Sequence, residues 1–224
     1  MTHEIKKIKV YPQGDIHWNN GVYLGMSMNN MAFKNEILLR EIIRNISDNT
    51  DSYYLLVGDY LHRYNEQIYS GFDEEFAIQS TKKTGNTLVN FFKKIADEFP
   101  SKYTILYTHE LVDNNDFDKK YQRFVNLYTT NSDFFKLINY TIDVFLRRQK
   151  ELHVTNEKAR ELCRSYLIEE LVIFEILAEK GLKVNIYPGN QLPIMKKLVA
   201  GKLMQVSEIL EKIQIVEIKL RPLL

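Results

Sequence analysis

The chain has 224 residues, 45% of them hydrophobic and 26% charged, with a formal net charge of +1. That is enough apolar material for one sizeable core, and too little net charge to draw in nucleic acid or a membrane surface in bulk; a polyanionic partner has to be gripped by a local patch. The single cysteine, Cys163, excludes an intramolecular disulfide framework, residues 1–9 lack the apolar stretch of a secretion signal, and the longest apolar run, 171–178, is interrupted by Glu175 and too short to cross a bilayer. The expectation is a single-domain cytoplasmic protein, monomeric and without membrane spans. The five histidines are scattered with no pair at zinc-site spacing, so no metal is expected.

In chain order, residues 6–10 alternate charged and apolar side chains and predict a short strand, stopped by Pro12-Gln13-Gly14. Residues 21–26 read as a buried strand, Val22-Tyr23-Leu24 followed by Gly25 and Met26, which ends in a turn carrying Ser27, Asn29 and Asn30. A helix is predicted over 32–45. The run 53–57 is a second buried strand ended by Gly58-Asp59, and the residues beyond it, His62-Arg63-Tyr64-Asn65, read as a polar loop.

Leu88, Phe91, Phe92 and Ile95 recur at helical spacing and predict a long helix over 73–97, before Pro100. Residues 103–107 give a third strand, with His109-Glu110 just past it. Helices are expected over 117–128 and 133–149, the second with an apolar stripe, and a longer one over 157–180, closed by Gly181. A fourth strand over 183–187 turns away at Pro188-Gly189; a short helix over 193–200 and a last strand over 213–220 follow. Repeated strand–helix units with short loops predict an α/β fold, a mostly parallel sheet with helices on both faces in a single domain spanning 1–224. In such sheets ligands bind beyond the carboxyl ends of the strands, which makes Ser27 the first residue to test for chemistry.

A serine in a turn is most often only a turn residue, and neither a Gly-x-Ser-x-Gly elbow nor a partner histidine accompanies this one. Tyr166 and Glu170 are four residues apart, so they share a helix face and suit an ammonium group, with Glu170 able to accept a proton later; a solvated helix face explains the same spacing. Cys163, one turn earlier, is a rival nucleophile or a small buried hydrophobe. Tyr187 ends the fourth strand at the edge where Ser27 is expected. Lys82 and Lys83 precede Lys93 and Lys94 by eleven residues, close to three helical turns, which makes a basic stripe roughly 16 Å long. That stripe is either an ordinary solvated face or a phosphate-backbone contact blind to sequence.

Together these positions resemble the cyclodipeptide synthases, which make a cyclic dipeptide from two aminoacyl-tRNAs. The resemblance spans nearly the whole chain. The family's Gly-x-Ser-x-x-Asn segment is matched by Gly25, Ser27 and Asn30, its Tyr-x-x-x-Glu pair by Tyr166 and Glu170, and its strand-end tyrosine by Tyr187. Residues 59–65 and the basic helix with Lys82 and Lys83 are similar as well. The resemblance implies a Rossmann-like sheet related to the catalytic domains of class I tyrosyl- and tryptophanyl-tRNA synthetases. It also implies a ping-pong reaction through a Ser27 aminoacyl-enzyme, with two aminoacyl-tRNAs as partners and no cofactor. Tyr166 and Glu170 would then hold the amino group, and backbone N–H groups near Gly25 would steady the oxyanion. A second aminoacyl-tRNA supplies the attacking amine, Glu170 takes its proton, and Tyr187 assists proton transfer at cyclisation.

Lys82, Lys83, Lys93 and Lys94 would bind tRNA, while Tyr23, Leu24, Ile173 and Ile186 neighbour the motifs and suggest an apolar substrate pocket. The chain has no His-x-Gly-His, Lys-Met-Ser-Lys or Walker-type segment, which fits a substrate already activated as an ester. One branch of the family has histidine after the catalytic tyrosine and the asparagine near the serine; the other has proline. Asn30 beside Tyr187-Pro188 mixes the two and leans to the proline branch. The rival reading is a non-catalytic tRNA- or nucleotide-binding module of the same fold.

Overall fold

A computed structural model of the protein describes residues 3–113, 116–147, 151–201 and 206–222. Six strands form its sheet: β1 (His3–Tyr11), β2 (Val22–Met26), β3 (Ser52–Val57), β4 (Lys102–Tyr107), β5 (Val184–Pro188) and β6 (Gln214–Pro222). Their order is β1-β6-β5-β2-β3-β4. All pairs are parallel except β1 with β6, where the N-terminal strand closes the edge antiparallel. The expected mostly parallel α/β sheet in one domain is what forms, with β1 running beyond both ends read from the sequence and β6 beyond its C-terminal end.

Helices cover both faces because each central strand is apolar on both sides. Val22, Leu24, Leu55, Val57, Val184 and Ile186 point to one core, closed by α1 (Glu36–Ser47) and α3 (Glu74–Ala96). Tyr23, Leu56 and Ile215 point to the other, closed by α2 (Asp59–Ser70), α4 (Thr108–Val112), α5 (Phe117–Thr130), α6 (Ser132–Leu146), α7 (Asn156–Glu179) and α8 (Pro193–Val199). Side-chain caps start α1, α3 and α7. Asn35 accepts from the Leu38 N–H (3.1 Å), Asp73 from Phe76 (2.8 Å) and Thr155 from Lys158 (3.3 Å), each satisfying an orphan donor of the first turn.

Three segments differ from the sequence reading. Residues 59–70, expected to include a polar loop at 62–65, are helical, since Leu61, Tyr64 and Ile68 keep helical spacing and are buried. The helix expected over 32–45 is divided: Asn30 caps a 3-10 turn, Met31–Lys34, and Asn35 then restarts the chain as α1. Helix α6 ends at Leu146, and the last two residues of its expected span, 148 and 149, lie outside the described residues. Among the described residues no helix is long and apolar enough to cross a membrane.

Helix α7 and β2 meet at a pair of glycines. Gly21 (φ +64°) enters β2 and Gly181 (φ +85°) leaves α7; a Cβ on Gly21 would lie 2.3 Å from the Gly181 carbonyl oxygen, so only glycine fits there. The Lys183 and Val184 N–H groups both donate to the Gly21 carbonyl, at 3.0 and 3.1 Å.

Candidate active site

A cavity of about 360 Å³ opens at the carboxyl edge of β2, β3 and β5, on the α7 side of the sheet. Strand alternation selects what enters it. Gly25 and Ser27 follow Tyr23 on the α7 side, while Leu24 and Met26 pack on α1 and α3. On β5 the same rule turns Asn185 and Tyr187 into the cavity wall. From α7 come Cys163, Tyr166, Leu167, Glu170 and Phe174, spaced at i, i+3, i+4, i+7 and i+11 along one helix face.

Four of the residues singled out by sequence are thus brought together: Ser27, Tyr166, Glu170 and Tyr187, with Gly25 beneath them. The Tyr166 hydroxyl donates to Glu170 Oε1 at 3.2 Å. Both are buried. Burial pushes the Glu170 carboxyl up to about 7, opposed by the Tyr166 hydrogen bond. Burial, then the Glu170 charge, raises the Tyr166 phenol well above its ordinary value. Burial also raises the Tyr187 phenol, and hydrogen bonding with Asn30 and Ser27 works against that rise, which sets the three side chains at one point. A Cβ on Gly25 would meet Tyr187 Cδ2 at 3.5 Å, an ordinary contact, so Gly25 opens space toward the cavity rather than relieving a clash.

Asn30 has a structural place here despite the Tyr-Pro sequence. Its Oδ1 accepts from the Ala32 N–H (3.0 Å) and its Nδ2 donates to the Pro188 carbonyl (2.5 Å), tying the Ser27 turn to the Tyr187 loop. Gln191 continues that loop: its N–H donates to the buried Glu217 (2.7 Å) and its Nε2 to Asn185 Oδ1 (3.1 Å).

The neighbours expected to line an apolar pocket fall elsewhere. Ile186 points to the opposite face of the sheet, into the core with α1 and α3, because it alternates with Asn185 and Tyr187. Leu24 does likewise. Ile173 lies a turn deeper under the sheet than Glu170, wholly buried in the α7-side core, and Phe174 lines the cavity in its stead. Tyr23 is on the correct face but behind that lining, its ring 6.1 Å from Phe174.

Cys163 does reach the wall, but burial pushes its thiol up to about 12, so it stays protonated and is a poor nucleophile. His62, which sequence placed in a loop, also lines the cavity; burial, then Lys34, lowers its imidazole to about 4. It is therefore neutral and a weaker proton acceptor at neutral pH than Glu170.

Sequence reasoning missed the clamp behind α7. Arg63 donates to both carboxylate oxygens of Glu169, at 2.8 and 2.7 Å, and the Tyr64 hydroxyl donates to Glu169 Oε1 at 2.7 Å. The guanidinium also stacks between the Tyr60 and Tyr64 rings, 3.7 and 4.1 Å from their centroids. Tyr64 in turn meets the Tyr166 ring edge-on at 6.5 Å. A buried bidentate pair thus holds α2 against α7 beside the Tyr166–Glu170 pair.

All four α3 lysines, Lys82, Lys83, Lys93 and Lys94, are exposed and make no ion pair among the described residues. They lie outside the cavity, on the helix that passes the end of β3, where Gly85 packs on Val57 and Asp59.

Fold and cavity define a Rossmann-like α/β domain with a serine, two tyrosines and a near-neutral carboxylate at its strand ends. No protein-family model and no curated protein matches the chain. Solved cyclodipeptide synthases share its fold. The structure from Fluoribacter dumoffii superposes with a TM-score of 0.80 at 18% identity, over 96% of this chain and 98% of that one. A cyclodipeptide synthase from Candidatus Glomeribacter gigasporarum, bound to Phe-tRNAPhe, gives 0.67 at 18% identity over 91% and 88%. A Mycobacterium tuberculosis protein, whose structure relates cyclodipeptide synthetases to type I tRNA synthetases, gives 0.65 at 15% identity over 92% and 87%.

Proposed function

We propose that the protein is a tRNA-dependent cyclodipeptide synthase, working without ATP through an aminoacyl ester on Ser27. The observation that carries this reading is the convergence of Ser27, Tyr187, Tyr166 and Glu170 in one cavity of a cyclodipeptide synthase fold. Ser27 Oγ attacks the ester carbonyl of the first aminoacyl-tRNA; the ribose oxygen leaves with a proton, and the aminoacyl group remains on the serine. Tyr166 and Glu170 hold its ammonium. A second aminoacyl-tRNA enters, the amine of one aminoacyl group attacks the ester of the other, and the remaining amine closes the ring on the remaining ester. Each amino group starts as an ammonium, so it gives up one proton to become the attacking amine and passes a second to the departing alcohol oxygen.

Glu170, with a pKa of about 7, is matched to receiving such protons at neutral pH. Tyr187, with Ser27 and Asn30 around its phenol, relays the proton that restores the serine hydroxyl. Pro188 after Tyr187 aligns the chain with the proline branch of the family, and in this chain the Asn30 side chain braces that proline's carbonyl. The exposed α3 lysines offer both tRNAs a grip that ignores the amino acid they carry. The enzyme acts as a monomer without a metal.

The test is incubation with a pool of charged tRNAs, followed by mass spectrometry for cyclic dipeptides and for protein carrying one aminoacyl group. Wild type yields both products. Ser27→Ala yields no modified protein and loses product formation by a factor on the order of 10³ or more. Absence of both products from wild type with every charged tRNA, or full activity in Ser27→Ala, refutes the mechanism. Lys82→Ala/Lys83→Ala weakens tRNA binding and lowers the slope of log affinity against log salt by about 1.4–1.8.

A further inference from the structure

Thr108 lines the cavity, and Tyr107 and His109 flank it in the chain. Tyr107 and His109 are both part-exposed, their ring centroids 5.3 Å apart and their planes inclined by 40°. Neither is loose. His109 Nδ1 is bonded to Asp59, whose carboxylate is only 1% exposed and also accepts from the Thr108 hydroxyl at 2.9 Å. This buried carboxylate sets the imidazole plane and leaves Nε2 without a partner among the described residues. Glu110 folds back onto the Tyr107 N–H at 3.3 Å.

The other flank leads to α3. The Tyr107 hydroxyl donates to Asn86 Oδ1 at 3.4 Å. By helical rotation Asn86 falls about 40° from Lys82, and Lys93 about 20° from it, so all three share one side of α3. The exposed cations of α3, this pair of fixed rings and the cavity-lining Thr108 are therefore neighbours at the end of β4. A row of cations that grips a phosphate backbone, followed by aromatic faces that take unstacked bases, is how single-stranded nucleic acid is bound.

We propose that Tyr107 and His109 form a stacking platform for the unpaired nucleotides at the 3′ end of the aminoacyl-tRNA. Lys82 and Lys93 lead the backbone in, and Thr108 marks where the esterified end turns toward Ser27. This rests on the tRNA-dependent reading above. It makes Tyr107 and His109 positioning residues, since they touch the bases and not the reacting ester.

The experiment compares the affinity of the full-length protein for an uncharged tRNA with that for the same tRNA lacking its unpaired 3′ nucleotides. Wild type prefers the complete tRNA by about 10-fold or more, the scale of one or two stacked bases. Tyr107→Leu and His109→Ala lose that preference while still binding the shortened tRNA as wild type does. Tyr107→Phe, which keeps the ring and loses the Asn86 bond, retains it; a residue needed only for packing would not separate the two RNAs in this way. Equal affinity of wild type for both RNAs, or variants that weaken both equally, overturns the platform and leaves the tRNA reading standing. Failure to bind either RNA overturns both.

Discussion

Replacing Glu170 with Gln tests the electrostatic state of the site. In the folded chain this carboxyl keeps its proton up to about pH 7, whereas the ordinary value is 4.5. Between those values the folded state binds more protons than the unfolded state, so this residue makes stability fall as pH rises, and the loss levels off above pH 7. Integrated from pH 4 to pH 8, the penalty grows from near zero to about 3 kcal/mol. Glutamine keeps an acceptor for the Tyr166 hydroxyl and carries no charge. Glu170→Gln is therefore expected to match wild type near pH 4 and to exceed it by about 3 kcal/mol at pH 8, or roughly 6–12 °C in Tm for a domain of this size. Thermal unfolding of both proteins across this range measures the difference, and titrations common to both cancel. The variant is also expected to lose activity, a stability gain at the expense of function. If it is no more stable at pH 8, or its advantage is independent of pH, the carboxylate is not desolvated as described.

Arg63→Met leaves Glu169 buried without its cation and should cost about 3–5 kcal/mol in urea unfolding. Arg63→Met/Glu169→Leu should recover most of that loss, and a double variant no better than the single would mean the pair is not isolated from solvent. Tyr187→Phe is expected to accumulate aminoacyl-enzyme while cyclic dipeptide formation slows about 10²-fold or more, as seen by intact-protein mass spectrometry beside product assay. Cys163→Ala should load and turn over within a few-fold of wild type, since a thiol pushed up to about 12 is not the nucleophile; loss of loading there would move the chemistry from Ser27. Product formation by wild type should rise with pH through about 7 as Glu170 loses its proton, then flatten.

The strands and α7 were legible because their signals are local: continuous apolar runs for buried parallel strands, and a long helical period closed by a glycine. Ser27, Tyr166, Glu170 and Tyr187 were found because each lies at a strand end or on a helix face that periodicity locates. Helix α2 was misread because its polar residues are buried by pairing rather than solvated: Arg63 with Glu169, and Asp59 with Thr108 and His109. Those partners are 106, 49 and 50 residues away, a separation that leaves no local trace in the sequence. Ile186 was misplaced for a simpler reason, since a neighbour in sequence on a strand belongs to the other face. Asn30 looked inconsistent with Tyr187-Pro188 until its amide was seen on the Pro188 carbonyl.

The contact between Gly21 and Gly181 sets a common origin for two rulers. From it, β2 reaches Ser27 in six residues at about 3.3 Å each, roughly 20 Å. Back along α7, Glu170 is eleven residues away at about 1.5 Å each, roughly 16 Å. Ser27 and Glu170 reach the same cavity because these two lengths are similar. One residue inserted into α7 between 170 and 181 would swing Glu170 by about 100° about the helix axis and take it out of the cavity. One inserted into β2 would turn Ser27 to the far side of the sheet. Between these glycines and the cavity, substitutions are graded by size and polarity, but a change of length carries an all-or-none cost to the chemistry.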